Sequence, residues 1–144
     1  MNSRIAIFLH SGDYDRVHQA LAVALAGAAM GREVDLYFFW WALDRLICDE
    51  LDLPCFAAAR ANDSSTPSGL GAAIDERFEE GRLPTIRQML DSLRGFERVH
   101  LFACSGSLAI LGRRPNAVEG KVEALVGWST ILDRTAGVTD RFIF

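Results

Sequence analysis

Short apolar runs, each followed by a stretch with helical character, limit the fold of this chain most strongly. Residues 4–9 begin with an arginine and are otherwise all apolar. The alanine- and leucine-rich stretch 15–30, which follows a polar turn, contains no proline. A continuous apolar run of this length is typical of a strand buried on both faces. Because such runs alternate with helical stretches, the sequence predicts a three-layer α/β/α sandwich with a mostly parallel sheet of about five strands.

The same patterns predict the remaining elements. Further strands are expected at 33–39 and 98–103, with candidate strands at 121–126 and 141–144. Helices are expected at 42–51, 83–93, 108–111 and 127–135. Residues 57–71 are irregular and rich in polar and turn-forming residues, which predicts a long loop that is either functional or plain surface. The chain shows no internal repeat, and we predict a single domain over 1–144.

Composition narrows the classes of function. The 144 residues carry a formal net charge of −4 with scattered basic residues, so nucleic acid and anionic lipid are not expected partners. No stretch approaches the roughly 20 apolar residues of a membrane span. The chain runs directly into its first strand without the charged region of a signal peptide, which predicts a cytoplasmic location. No metal-ligand or nucleotide-binding motif is present, so neither a metal nor a cofactor is expected.

Three segments follow predicted strands at positions where a parallel sheet binds ligands. They are residues 10–13, the pair Trp40 and Trp41, and residues 104–107. Ligands of open α/β sheets bind outside the carboxyl ends of the strands, at a point where the strand order switches. We therefore expect the ends of the first and third strands to be adjacent, which would bring His10 and Ser11 near Cys104.

Cys104 is the candidate for reactivity among the three cysteines. It lies where a strand ends and a helix begins, and the helix dipole with its unpaired N–H groups favours a thiolate there. The alternative is a buried structural thiol, because free cysteine is among the most buried residue types. Cys48 and Cys55 lack such a setting, and we predict that both are inert packing residues.

The segment after the first strand offers supporting groups. His10 could stabilise a thiolate or carry a proton near neutral pH, or it could simply hydrogen-bond the local backbone. Ser11 and Gly12 lead into a helix and could cradle an anion, although no complete phosphate-binding motif is present. Aromatic residues, including Trp128, either wall a pocket or an interface or fill the core. Because the aromatic residues exceed what a small core needs, a homo-oligomer is expected.

At Cys104 the sequence resembles the DsrE/DsrF-like family of small sulfur-handling proteins. The resemblance is carried by the motif Ala103-Cys104-x-x-Ser107-x-x-x-x-Gly112 after a buried strand, by the opening strand–helix–strand over 5–39, and by the segment around Gly127 with its following helix. It covers most of the chain except residues 57–81.

The resemblance implies a five-stranded parallel α/β/α sandwich that assembles as a homo-oligomer. It also implies that Cys104 accepts sulfane sulfur as a persulfide and passes it on, between a protein donor and a protein acceptor, as a sulfur carrier or sulfurtransferase component. Ser105 and Ser107 would supply donors that steady the terminal sulfur, with Gly127 nearby. Two alternatives stay open: a non-catalytic module that binds a small anionic or nucleotide-like ligand, and an oligomeric partner subunit with a vestigial cysteine.

Overall fold

Five parallel strands form the centre of the protein. The structure, a computed structural model, describes residues 4–52, 76–77, 79–81 and 83–144, so Cys55 and the predicted loop 57–71 lie outside the described residues. The strands are β1 (Arg4–Leu9), β2 (Glu33–Phe38), β3 (Val99–Cys104), β4 (Ala124–Val126) and β5 (Asp140–Ile143). All five predicted strands are present, and β4 is shorter than expected.

Helices whose bounds lie within the described residues connect these strands. They are α1 (Tyr14–Ala29), α2 (Trp40–Ile47), α3 (Ile86–Arg94), α4 (Ser105–Ile110) and α5 (Trp128–Thr135), with a short 3-10 turn at Pro115–Val118. Helix α3 starts three residues later than predicted because Thr85 caps it, in a reciprocal pair of hydrogen bonds with Gln88. Helix α2 starts earlier than predicted, at Trp40, whose φ of 44° lies in the left-handed region.

The sheet has the order β4-β3-β2-β1-β5, and every pairing is parallel. The predicted three-layer α/β/α sandwich is therefore confirmed. The chain builds outward from β1 to β4 and then returns to place β5 on the other side of β1. Since crossovers between parallel strands are right-handed, the return connection lies on the opposite face from the others.

The two faces of the sheet are covered very differently. The first face carries alternate apolar residues of the strands, such as Ile7, Leu36 and Leu101, and packs against apolar residues of α1, α2, α3 and α4. The second face carries Tyr37, Phe102, Cys104 and Val126 together with Phe39, and Ile131 of α5 packs against it. The side chain of Cys104 thus lies on the second face, which α5 covers.

The expected adjacency of the first and third strands is wrong. Strand β2 lies between β1 and β3, so their carboxyl ends are about 10 Å apart, which is two strand spacings. The strand order reverses between β1 and β5 instead. The sequence could not reveal this order, because all of the central strands are similarly apolar.

None of the helices in the described ranges is both long enough and apolar enough to cross a membrane.

Candidate functional site

Cys104 is the last residue of β3 and also the N-cap of α4. Its backbone is extended, with φ of −78° and ψ of 122°, and the helix begins at the next residue. The sequence predicted a turn over 104–107 before a helix at 108–111. The structure corrects this, because Ser105 and Gly106 already form the first helical turn. Cys104 is therefore placed directly at a strand–helix junction on the carboxyl edge of the sheet.

The side chain of Cys104 is buried. Only 3% of the residue is exposed, and it belongs to an apolar cluster on the second face with the rings of Tyr37, Phe39 and Phe102. A Cβ atom added to Gly106 would lie 3.8 Å from the sulfur, so the thiol lies against the first turn of α4. This thiol is positioned at a helix start but is not directly open to solvent.

The start of α5 lies beside Cys104. Cys104 pairs in register with Val126 of β4, and Gly127, the next residue, is the N-cap of α5. A Cβ atom at Gly127 would lie 3.6 Å from the hydroxyl oxygen of Ser105. The structure therefore brings Cys104, Ser105 and Gly127 together, as the proposed site requires. Ser107 is buried within α4.

His10 lies at the end of β1 and is separated from β3 by β2. Its ring stacks on Phe39 with a centroid distance of 4.4 Å and an interplanar angle of 8°. Phe39 also stacks on Trp128 at 5.3 Å. His10 is thus linked to the cluster around Cys104 through Phe39, rather than by the neighbouring strand ends that the sequence suggested.

Burial lowers the pKa of His10 below its ordinary value of 6.5, with a hydrogen bond to the Phe8 backbone acting in the opposite direction. We therefore expect the ring to be neutral at neutral pH, and an NMR titration of its ring protons to give a midpoint below 6.5. Because the unfolded chain then binds the proton more readily, the folded state should lose stability as the pH falls below 6.5. His10→Gln should remove this part of the pH dependence, whereas a midpoint at or above 6.5 would contradict it.

The turn after β1 is held by the chain itself. The backbone N–H groups of His10 and Ser11 donate to the carbonyl of Phe144 at 2.8 and 3.3 Å. The N–H of Asp13 donates to the Ser11 hydroxyl oxygen at 3.0 Å. The N–H of Ser11 is therefore engaged, which weakens the part of the anion-cradle hypothesis for Ser11 and Gly12 that depends on the Ser11 backbone.

Gly12 has a packing role. An added Cβ atom would lie 2.6 Å from Cδ of Arg45 and 3.3 Å from Cβ of Trp41. Glycine at this position therefore allows the turn after β1 to approach α2 closely.

A cleft opens beside this turn, outside the carboxyl ends of β1 and β5. Its volume is about 540 Å³. It is lined by residues 10–13, Arg16, Trp40, Trp41, Ile143 and Phe144. Cys104 is not part of this lining, so the thiol and the cleft are separate features of the same sheet edge.

Sequence reasoning missed a buried ion pair beneath α5. The carboxylate of Asp35, on β2, is fully buried and accepts hydrogen bonds from Arg134 of α5 at 2.8 and 3.1 Å. The hydroxyl of Tyr37 donates to the same carboxylate at 3.1 Å, and Arg4 lies 3.7 Å away. Burial and the Asp35 carboxylate raise the pKa of Tyr37. An acid inside an otherwise apolar strand was the available signal, because a buried charge requires a partner.

The same region contains side chains that resemble a metal-ligand set. Donor atoms of Glu33, Asp35 and His100 lie within 4.8 Å of one another. However, Arg4 pairs with Glu33 and Arg134 with Asp35, and His100 contacts Glu123 at 2.8 Å. Two guanidinium groups occupy the surroundings that a divalent cation would need, so these residues fit an ion-pair network better than a metal site.

The prediction that Cys48 is a packing residue is wrong. Cys48 is exposed, since the helix in which it was expected to pack ends at Ile47 and Cys48 is its C-cap. Arg113 donates to its sulfur at 3.4 Å and to Asp44 at 3.0 Å. Cys48 is therefore the more accessible of the two described thiols.

No protein-family model matches this chain, and no curated protein was found to be similar to it.

Proposed function

We propose that this protein is a sulfur carrier of the DsrE/DsrF-like kind, which accepts sulfane sulfur as a persulfide on Cys104. The observation that carries the proposal is the position of Cys104, at the carboxyl end of β3 and at the N-cap of α4. The first N–H groups of a helix lack intrahelical partners and favour negative charge. They are suited to a thiolate or to a terminal persulfide sulfur, and the motif over 103–112 supports the same assignment.

The proposed reaction is a thiol exchange without net oxidation. The Cys104 thiolate attacks the outer sulfur of a persulfide donor, R–S–SH, and the bond between the two donor sulfurs breaks. Cys104 then carries the outer sulfur with its proton, and the donor leaves as a thiolate that takes up the proton lost by Cys104. An acceptor thiolate then takes the outer sulfur from Cys104 by the same exchange. Both the donor and the acceptor are proposed to be proteins.

Burial of Cys104 adds a requirement to this reaction. Val126 and Ile131 belong to the cluster around the thiol. Val126 ends β4, directly before the N-cap of α5, and Ile131 lies within α5. Exchange at the sulfur therefore requires the first turns of α5 to move aside. Between such openings, the closed cluster would shield a bound persulfide from water and from other thiols.

The test is sulfur uptake by the reduced protein. Incubation with a low-molecular-weight persulfide should add one sulfur atom to the peptide that contains Cys104, and a thiol reductant should remove it. Peptide mass spectrometry measures both steps. A folded protein in which Cys104 stays unmodified would contradict the carrier proposal and favour the alternatives, a binding module or a partner subunit.

The protein is also proposed to form a homo-oligomer through the outer side of α5. Trp128 and Leu132 are four residues apart on this helix and are 53% and 63% exposed. Light scattering of the purified protein at micromolar concentration should show more than one copy, and Leu132→Lys should reduce the mass. Ile110→Lys is the matched control, because Ile110 is similarly exposed on α4, which packs on the first face. A monomeric wild-type protein would contradict this prediction.

A further inference from the structure

The reversal of the strand order lies between β1 and β5. Strand β1 leads into α1, which packs on the first face, whereas β5 follows α5, which packs on the second face. Ligands of open α/β sheets bind outside the carboxyl ends of the strands, at the point where the strand order reverses. The cleft described above lies at this point, and its volume of about 540 Å³ is ordinary for a small-molecule site.

Two tryptophan rings form one wall of the cleft. Trp40 and Trp41 are 41% and 57% exposed, and their ring centroids are 6.4 Å apart with the planes tilted by 50°. The two rings thus offer partly open aromatic faces at an angle to each other. Aromatic rings of this kind are suited to stacking against a planar ligand.

The lining of the cleft also supplies a cation. Arg16 lies on the first turn of α1, is exposed, and forms no ion pair within the part of the chain that the structure describes. Asp13 is the acid in the lining, and one of its carboxylate oxygens is buried. The N–H of Ser11 donates to the Phe144 carbonyl and that of Asp13 to the Ser11 hydroxyl, so the Arg16 guanidinium is the cationic group of the lining that can hold an anion.

We infer that this cleft binds a planar aromatic ligand that carries an anionic group, with the ring against Trp40 or Trp41 and the anion on Arg16. The site is distinct from Cys104 and does not depend on sulfur transfer. Binding of this ligand requires no movement of α5, because the cleft is already open between the turn after β1 and the start of α2.

The experiment compares three probes on the full chain by NMR chemical-shift titration. AMP combines a ring with an anion, adenosine provides the ring alone, and inorganic phosphate provides the anion alone. AMP should bind roughly tenfold more tightly than either of the others. Naphthoate, a second aromatic anion, should shift the same resonances. Cys104→Ala should bind AMP like the wild type, which separates failure of this proposal from failure of the carrier proposal.

Substitutions of two exposed residues test which side chains of the cleft bind the ring and the anion. Trp41→Ala should weaken the binding of both AMP and adenosine by roughly tenfold. Arg16→Gln should weaken AMP and leave adenosine unchanged. Phe96→Ala is the control, because Phe96 is an exposed aromatic residue outside the lining of the cleft. Absence of binding of both AMP and naphthoate at millimolar concentration would overturn the proposal. The proposal would also be overturned if Trp41→Ala left AMP binding unchanged. It would likewise be overturned if this variant lost only self-association, because the two rings would then contact a second copy of the chain.

Discussion

Replacing Cys104 should abolish sulfur uptake. Cys104→Ala removes the sulfur and adds no polar group to the cluster, so the fold should be retained with a small cavity beside α4. Cys104→Ser should also lose uptake, but its hydroxyl group is placed in an apolar environment, at a cost of about 1–3 kcal/mol in the free energy of unfolding. Uptake is measured by mass spectrometry of the intact protein after treatment with a persulfide, and folding by circular dichroism.

The control variant is Cys48→Ser. Cys48 is exposed and lies near Arg113, so it is the thiol that a nonspecific reaction would modify first. Uptake that persists in Cys48→Ser and disappears in Cys104→Ala would support the carrier proposal. The opposite pattern would place the reactive sulfur on Cys48 and contradict it.

Replacing Arg134 with methionine should lower the free energy of unfolding by about 2–3 kcal/mol. The Asp35 carboxylate is fully buried, whereas the Arg134 side chain is 30% exposed, so the substitution removes the main partner of a charge that cannot reach water. Arg4 and the Tyr37 hydroxyl remain near Asp35 and limit the loss. Urea unfolding monitored by circular dichroism gives the change in the free energy of unfolding.

The matched control is Arg113→Met, which removes the exposed ion pair with Asp44. Exposed pairs contribute little to stability, so this variant should change the free energy of unfolding much less. Since Arg134 ties α5 to the sheet, Arg134→Met should also speed the alkylation of Cys104 by a small reagent, relative to Arg113→Met. Equal effects of the two substitutions on stability would contradict the role assigned to Asp35 and Arg134.

The sequence was sufficient for the elements and the fold class. Each central strand is a largely apolar run that is mostly buried on both faces, and each is followed by a helical pattern, so local periodicity was enough to place them. Boundaries were less well predicted where tertiary contacts or caps decide them. Helix α3 begins at its Thr85 cap, and α4 begins directly after Cys104, at residues with no strong helical pattern of their own.

The candidate site was only partly predictable. The positions of Cys104 and Gly127 at strand–helix junctions follow from the chain order, and the pairing of β3 with β4 brings them together. The distance between His10 and Cys104 depends on strand order, which similar apolar runs do not encode. The cleft beside Trp40 and Trp41 exists because β5 returns to the far side of β1, which only the assembled sheet decides.

By itself, the sequence determined which segments become strands and helices, because apolar periodicity acts over a few neighbouring residues. The tertiary structure decided which side chains are buried and which residues they contact. It buried Cys104 in an aromatic cluster, exposed Cys48, and paired Asp35 with Arg134, a residue 99 positions away in the chain. These outcomes depend on burial and charge pairing between distant segments, and both are created only when the strands take their final order.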